Sequence, residues 1–341
     1  MRRWGRRLVL AVIVVLTVAA LAAALYQATA SRRDLASLSP PGTLVDVGGH
    51  RLHIWCTGTG APTVVLDTGL GGTAFDWGYV QPEVAEFTRV CSYDRAGMGY
   101  SEAGPRPRTS QQIVRELLAL LEGSGTPDPV ILVGASIGGW NVRLFASTHP
   151  NRVAGLVLVD ARHEEQGQRL TAAGAPENPR WVAPVARLSP AIAYLGIPRL
   201  LGVAPGPSPD SLAPAVRGFA HATRFRSSMI IAAGDELAHA AESAAQIQAA
   251  RRDLTVPLVV VSAGRRGHTR VAEVLDSLQR DQLTLSRRSC QVTAERSGHA
   301  IVLEQPEIVA DTIRATVEAS RQSLAPDCNS ITQRGPTTSA R

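Results

Sequence analysis

The chain has 341 residues, 45% hydrophobic and 19% charged, and its formal charge of +6 is carried by arginine. That length and composition suit one large α/β core with an insertion, or two domains. Aromatic residues make up only 4%, and no basic run is interleaved with them, which excludes a nucleic-acid module and leaves the positive charge to a solvated surface.

In chain order, the first signal is Met1-Arg2-Arg3-Trp4-Gly5-Arg6-Arg7, followed by residues 8–25, an uncharged stretch with Thr17 as its single polar residue. As a helix that stretch spans about 27 Å, close to the hydrocarbon thickness of a bilayer. Arginines on the leading side predict a cytoplasmic amino end and an exported catalytic domain. The stretch is longer than the apolar part of a cleaved signal, which favours an uncleaved anchor over residues 1–30. Ala28-Thr29-Ala30 has the small-x-small form of a cleavage site, so a secreted mature chain is the competing expectation. A polar linker is expected at residues 31–42.

Strands are predicted at residues 43–47, 51–56, 63–67 and 89–93, then at 130–134, 155–160, 257–262 and 290–295. The first two flank Gly48-Gly49-His50 and read as a hairpin. The later ones are continuous apolar runs, the pattern of strands covered on both faces. Helical patterns cover residues 110–122, 137–148, 270–283 and 306–320. The alternation predicts an α/β fold with a doubly wound, mostly parallel, eight-stranded sheet. Its core is expected at residues 43–160 and 254–322. Residues 161–253 break the alternation with apolar helical stretches at 181–203 and 229–248, and are expected to form a helical cap. Residues 323–341 are expected to be a disordered tail apart from Cys328. Cys56, Cys91, Cys290 and Cys328 suit an oxidising compartment. Cys56–Cys91 and Cys290–Cys328 are the first choice among three connectivities. No cysteine or histidine cluster suggests a metal, and no cofactor is expected.

The run at residues 130–133 stops at Gly134-Ala135-Ser136-Ile137-Gly138, and a helical pattern follows at once. This is G-x-S-x-G in its strand–turn–helix setting, which lifts a serine hydroxyl from the carboxyl edge of the sheet. Ser136 is therefore the expected nucleophile, and the Ile137 amide at the helix start is expected to face a developing oxyanion. A serine hydroxyl needs a base, and histidine has the pKa for that task at neutral pH. His299, in Ser297-Gly298-His299 after the last strand, has the required chain position; His163 and His268 are the rivals.

These features resemble the α/β-hydrolase fold superfamily, specifically its capped, esterase-like members, over residues 44–320. The resemblance also rests on Asp67-Thr68-Gly69-Leu70-Gly71-Gly72, where the family usually has His-Gly-x-Gly, and on Asp94-Arg95-Ala96-Gly97-Met98-Gly99-Tyr100-Ser101. It implies that the Leu70 amide joins that of Ile137 in an oxyanion hole, with Thr68 in place of the usual histidine. Many family members carry the orienting acid after the strand at 257–262, but here Ala263-Gly264-Arg265-Arg266 follows. Asp160, at the end of the preceding strand, is the first choice, with Glu164, Glu273 and Asp276 as alternatives. The expected activity is hydrolysis of carboxylic esters through an acyl-enzyme, on a small, apolar substrate. Peptidase, thioesterase, lactonase and perhydrolase chemistry use the same parts, and a non-catalytic, membrane-tethered binding protein is the competing class.

Overall fold

The structure is a computed structural model that describes residues 2–175 and 182–332. Eight strands form one sheet: β1 (Thr43–Asp46), β2 (Arg51–Thr57), β3 (Val64–Asp67), β4 (Val90–Tyr93), β5 (Val130–Ala135), β6 (Val153–Val159), β7 (Leu258–Ala263) and β8 (Ser289–Ala294). Their order is β1-β2-β4-β3-β5-β6-β7-β8; the β1–β2 and β2–β4 pairings are antiparallel and the other five are parallel. Helix α1 (Arg2–Ala36) precedes them, and α2 (Val80–Ala85), α3 (Ser110–Gly123) and α4 (Gly138–Thr148) lie between strands. The insertion after β6 holds α5 (Gln166–Ala172), α6 (Val182–Arg187), α7 (Ser189–Tyr194), α8 (Ile197–Leu201), α9 (Arg217–Thr223), α10 (Ser227–Ala238) and α11 (Ala240–Ala250). The chain closes with α12 (Arg270–Asp281), α13 (Ile301–Glu304), α14 (Pro306–Gln322) and α15 (Cys328–Thr332).

The two-residue period of a strand sends alternate side chains to opposite faces. In β5, Val130 and Leu132 join a layer with Leu117, Leu121, Trp140 and Phe145, while Ile131 and Val133 join Trp77, Val84, Ile313 and Val317. Both faces are thus roofed by helices, which is why β5, β6 and β7 are apolar apart from Ser262. The chain leaves β3 for β4 on one side, and β5 lies on the other. The loops after β3 and β5 therefore meet at the switch point where open α/β sheets bind ligands.

Three expectations change. The helix α1 runs on to Ala36, so residues 31–36 are helical and the linker is shorter than 31–42. The stretch 181–203 is three short helices instead of one, because Pro190 and Pro198 restart the chain and Gly196 and Gly202 turn it at left-handed φ of 67°. Trp181 lies outside the described residues. The tail is helical at Cys328–Thr332, where a Cys290–Cys328 bridge ties it to β8; Cys56–Cys91 joins β2 to β4. Residues 333–341 lie outside the described residues.

Candidate active site

At the end of β5 the backbone turns through Ser136 at φ 52°. A non-glycine residue held there costs about 1–3 kcal/mol, a strain typical of functional turns. Glycines make the bend possible. A Cβ on Gly138 would sit 2.5 Å from the Asp67 carbonyl oxygen, and one on Gly139 2.3 Å from the Ala161 Cβ. The start of α4 can therefore press against the ends of β3 and β6 only with no side chain in between.

The Ser136 Oγ lies 3.0 Å from Nε2 of His299, and His299 Nδ1 lies 2.6 Å from Oδ2 of Asp160. Asp160 is buried and also at positive φ, 41°, whereas the His299 side chain is 65% exposed. The acid is fixed and the imidazole is open to a ligand. The structure thus brings Ser136, His299 and Asp160 into one chain of contacts, and it separates the alternatives from it. Glu164 is buried in a two-pronged pair with Arg143, at 2.7 and 2.9 Å. Burial opposes its charged form, but Arg143 outweighs that and holds the carboxyl at about 2. Glu273 is exposed on the first turn of α12. Asp276 meets Arg266, at 3.2 Å, and not His299. Of the rival histidines, His163 is buried against Asp281 at 2.8 Å, and His268 is exposed.

A cleft of about 370 Å³ opens over these groups, lined by Leu70, Ile137, Leu275, Arg162, Arg265 and Gln279 beside Ser136 and His299. Among the described residues, neither the Leu70 nor the Ile137 backbone N–H donates to a protein acceptor. The Leu70 loop is held from beneath by Arg95, which sequence reasoning passed over. Its guanidinium donates to the carbonyls of Thr68 and Gly69, each at 2.8 Å, and to Asp67 at 2.7 Å, and meets Glu236 of α10 at 2.9 Å. Burial opposes its charge, yet Glu236 and Asp67 more than offset this and raise its pKa. Thr68, in the place of the family's histidine, donates to buried Asp76 at 3.0 Å. Burial is the main reason the Asp76 carboxyl rises to about 6, despite those hydrogen bonds. A larger depression of about 700 Å³ lies at the opposite, amino edge of the sheet and contains none of the expected site residues.

Arg266 is the other residue missed. It stands after β7, where many family members carry the acid, and reaches across to Asp160 Oδ1 while Asp160 Oδ2 serves His299. The signal was the charge reversal: with the carboxylate moved to the end of β6, the vacated position holds a cation that can grip it. Among the described residues no group of three or more His, Cys, Asp or Glu side chains is placed to hold a metal ion.

Strand order, parallel register and the helical insertion after β6 together define an α/β-hydrolase fold. The chain belongs to the alpha/beta hydrolase family, whose model matches residues 64–312. The Hormonema carpetanum protein named "Probable transporter efuK" is 26% identical over 324 residues, 83% of this chain and 44% of that protein. The 2-hydroxy-6-oxo-2,4-heptadienoate hydrolase of Pseudomonas putida is 35% identical over 125 residues, 35% of this chain and 44% of that enzyme. The matches span less than half the length of either relative. A solved thermophilic esterase from Thermogutta terrifontis superposes with a TM-score of 0.59 at 21% identity, covering 82% of this chain and 99% of that one. That likeness establishes the fold alone.

Proposed function

We propose that the protein is a serine hydrolase that cleaves small carboxylic esters through an acyl-enzyme. The observation that carries this reading is the contact chain Ser136 Oγ, His299 Nε2, His299 Nδ1, Asp160 Oδ2, at 3.0 and 2.6 Å, on the floor of a cleft. In the reading, Ser136 attacks the ester carbonyl carbon and its proton passes to His299 Nε2. The oxyanion of the tetrahedral adduct is held by the Leu70 and Ile137 amides. As the adduct collapses, His299 returns the proton to the departing alkoxide and an acyl-serine remains. Water then repeats the sequence, its proton going to His299, and the acid leaves as Ser136 recovers its proton. Asp160 keeps the imidazole in the useful tautomer, a task worth about 10⁴ in rate. Removing one oxyanion donor costs about 3–4 kcal/mol of transition-state stabilisation.

The cleft supports a small substrate with a polar part beside its apolar one. Leu70, Ile137 and Leu275 share its wall with Arg162, Arg265, Arg266 and Gln279. Leu200, Leu201 and Val203, at the end of the apolar stretch 181–203, are exposed on the insertion and do not line the cleft.

In the same reading the enzyme is held at a membrane by α1, with its catalytic domain on the extracytoplasmic side, where two disulfides persist. Gln27 and the helix around Ala28-Thr29-Ala30 support retention of the segment, because Gln27 is 2% exposed against the insertion. Amino-terminal sequencing of the membrane fraction tests this; a soluble exported chain starting at Ser31 contradicts it. A fluorophosphonate probe tests the chemistry. Labelling that disappears in Ser136→Ala is expected, followed by turnover of short-chain p-nitrophenyl esters. Absence of labelling in the folded protein contradicts the enzyme and leaves a binding protein.

A further inference from the structure

Helix α1 continues past its apolar stretch into the insertion. Ala23, Ala24, Gln27, Ala30, Ser31 and Asp34 form a partly or fully covered stripe at helical spacing, while Leu25 and Tyr26 between them stay exposed. Gln27 is the centre of that contact. Its Nε2 faces the Phe225 carbonyl at 2.6 Å and Ser227 Oγ at 3.3 Å, and its Oε1 accepts from Arg199 at 2.9 Å. Arg199 also pairs with Asp34 at 2.8 Å. A Cβ on Gly196 would lie 3.2 Å from the Gln27 Cβ. The turn between α7 and α8 therefore packs directly on α1 at this level.

The level is set by the aromatic residues. Trp4 and Tyr26 are exposed at the two ends of the apolar stretch, and 22 residues of helix place them about 33 Å apart. Tryptophan and tyrosine sit at the two membrane–water interfaces, so the outer interface falls at Tyr26, one residue before Gln27. The insertion residues that hold Gln27 then lie within one helical turn of the lipid headgroups. At that place the insertion exposes Tyr194, Leu195, Ile197, Leu201, Val203 and, at 85%, Leu200. A contiguous exposed apolar surface marks an interaction site, and here the anchor helix fixes what covers it.

We infer that the outer surface of α7 and α8, from Tyr194 to Val203, dips into the outer leaflet of the lipid bilayer that α1 crosses. The insertion is then seated on the membrane by two adjoining elements, one spanning and one interfacial. The same segment runs on to Pro205, which packs on Gly71, one residue from Leu70; a Cβ on Gly71 would lie 2.5 Å from the Pro205 Cβ. The membrane-seated turn is thereby joined to the loop beside the cleft. The inference rests on α1 crossing a bilayer and is independent of the esterase chemistry.

All four native cysteines are in disulfides, so single introduced cysteines can carry an environment-sensitive fluorophore. The full chain is reconstituted in phosphatidylcholine vesicles with the label at Leu200→Cys, at Leu16→Cys within the span, or at Thr59→Cys on the far edge of the sheet. The expected result is blue-shifted emission, lost on adding nitroxide-labelled lipid, at positions 16 and 200, with a water-like, unquenched signal at position 59. Quenching at 16 without quenching at 200 overturns the inference while leaving the anchor in place. No quenching at either position overturns both. A blue-shifted label at 200 that lipid nitroxides do not reach, but that shifts with protein concentration, assigns the surface to a second copy of the chain and also overturns it.

Discussion

The chain builds two histidine–aspartate pairs of nearly the same geometry and puts them to different uses. His299 meets Asp160 at 2.6 Å, and His53 meets Asp94 at 2.8 Å, each through Nδ1. The difference lies at the other nitrogen. His299 Nε2 faces the Ser136 hydroxyl at the mouth of a cleft, whereas His53 Nε2 faces the Pro41 carbonyl at 2.6 Å in a ring of Phe75 and Tyr100. A carbonyl only accepts, so the contact to Pro41 requires a proton on Nε2 and leaves His53 nothing to take up. Asp94 is further committed to the amides of Ala74 and Tyr100, at 2.7 and 2.8 Å. A histidine–aspartate contact is thus no sign of catalysis by itself; the third partner and its access to substrate decide.

Breaking the two pairs separates these roles. The largest effect is expected at the open one: Ser136→Ala or His299→Ala lowers kcat for ester hydrolysis by about 10⁶, with the melting temperature nearly unchanged. Asp160→Asn follows, with a loss of about 10⁴ in kcat. A rate within a factor of ten of the parent would remove Asp160 from the mechanism. At the sealed pair the effect moves from rate to stability. His53→Ala leaves Asp94 buried without its partner and is expected to cost about 3–5 kcal/mol in chemical denaturation, with kcat of the remaining folded protein preserved.

The smallest effect is a pH dependence. Burial works against protonated His53, but the hydrogen bond and charge of Asp94, with the Pro41 carbonyl, outweigh it and raise its pKa above 6.5. Burial likewise opposes the Asp94 carboxylate, which its His53 and amide bonds nevertheless hold below 3.8. A raised histidine gives stability that is full below the unfolded value and lost as pH climbs through the folded one. The stability gap between the parent and His53→Gln should therefore be widest near pH 6 and shrink as the pH rises beyond it. A gap constant from pH 5 to 9 would show that the pair does not carry the charge assigned to it.

What the sequence made legible divides along the same physical line. Strands β5, β6 and β7 were readable because burial on both faces leaves a nearly unbroken apolar run, and Ser136 because its sharp bend needs glycines at 134, 138 and 139. His299 followed from its place after the last strand. Arg266 left a signal, a cation where the acid is usual, whereas Arg95 and Gln27 were not readable, since each acts through partners far away in sequence. Arg95 meets Glu236, and Gln27 meets Phe225. No local pattern reports such contacts. In the insertion, exposure on a short helix is set by how α7 and α8 turn at Gly196 and Gly202, which periodicity over 181–203 does not capture.

The central claim, an acyl group carried on Ser136, is tested most directly by rapid quenching of the full-length protein with p-nitrophenyl acetate and mass measurement of the intact chain and its peptides. The account predicts a burst of p-nitrophenol equivalent to the enzyme present, with an acetyl group on the peptide containing Ser136 and none in Ser136→Ala. Turnover of the ester at full rate with no acetyl group at Ser136 would contradict it.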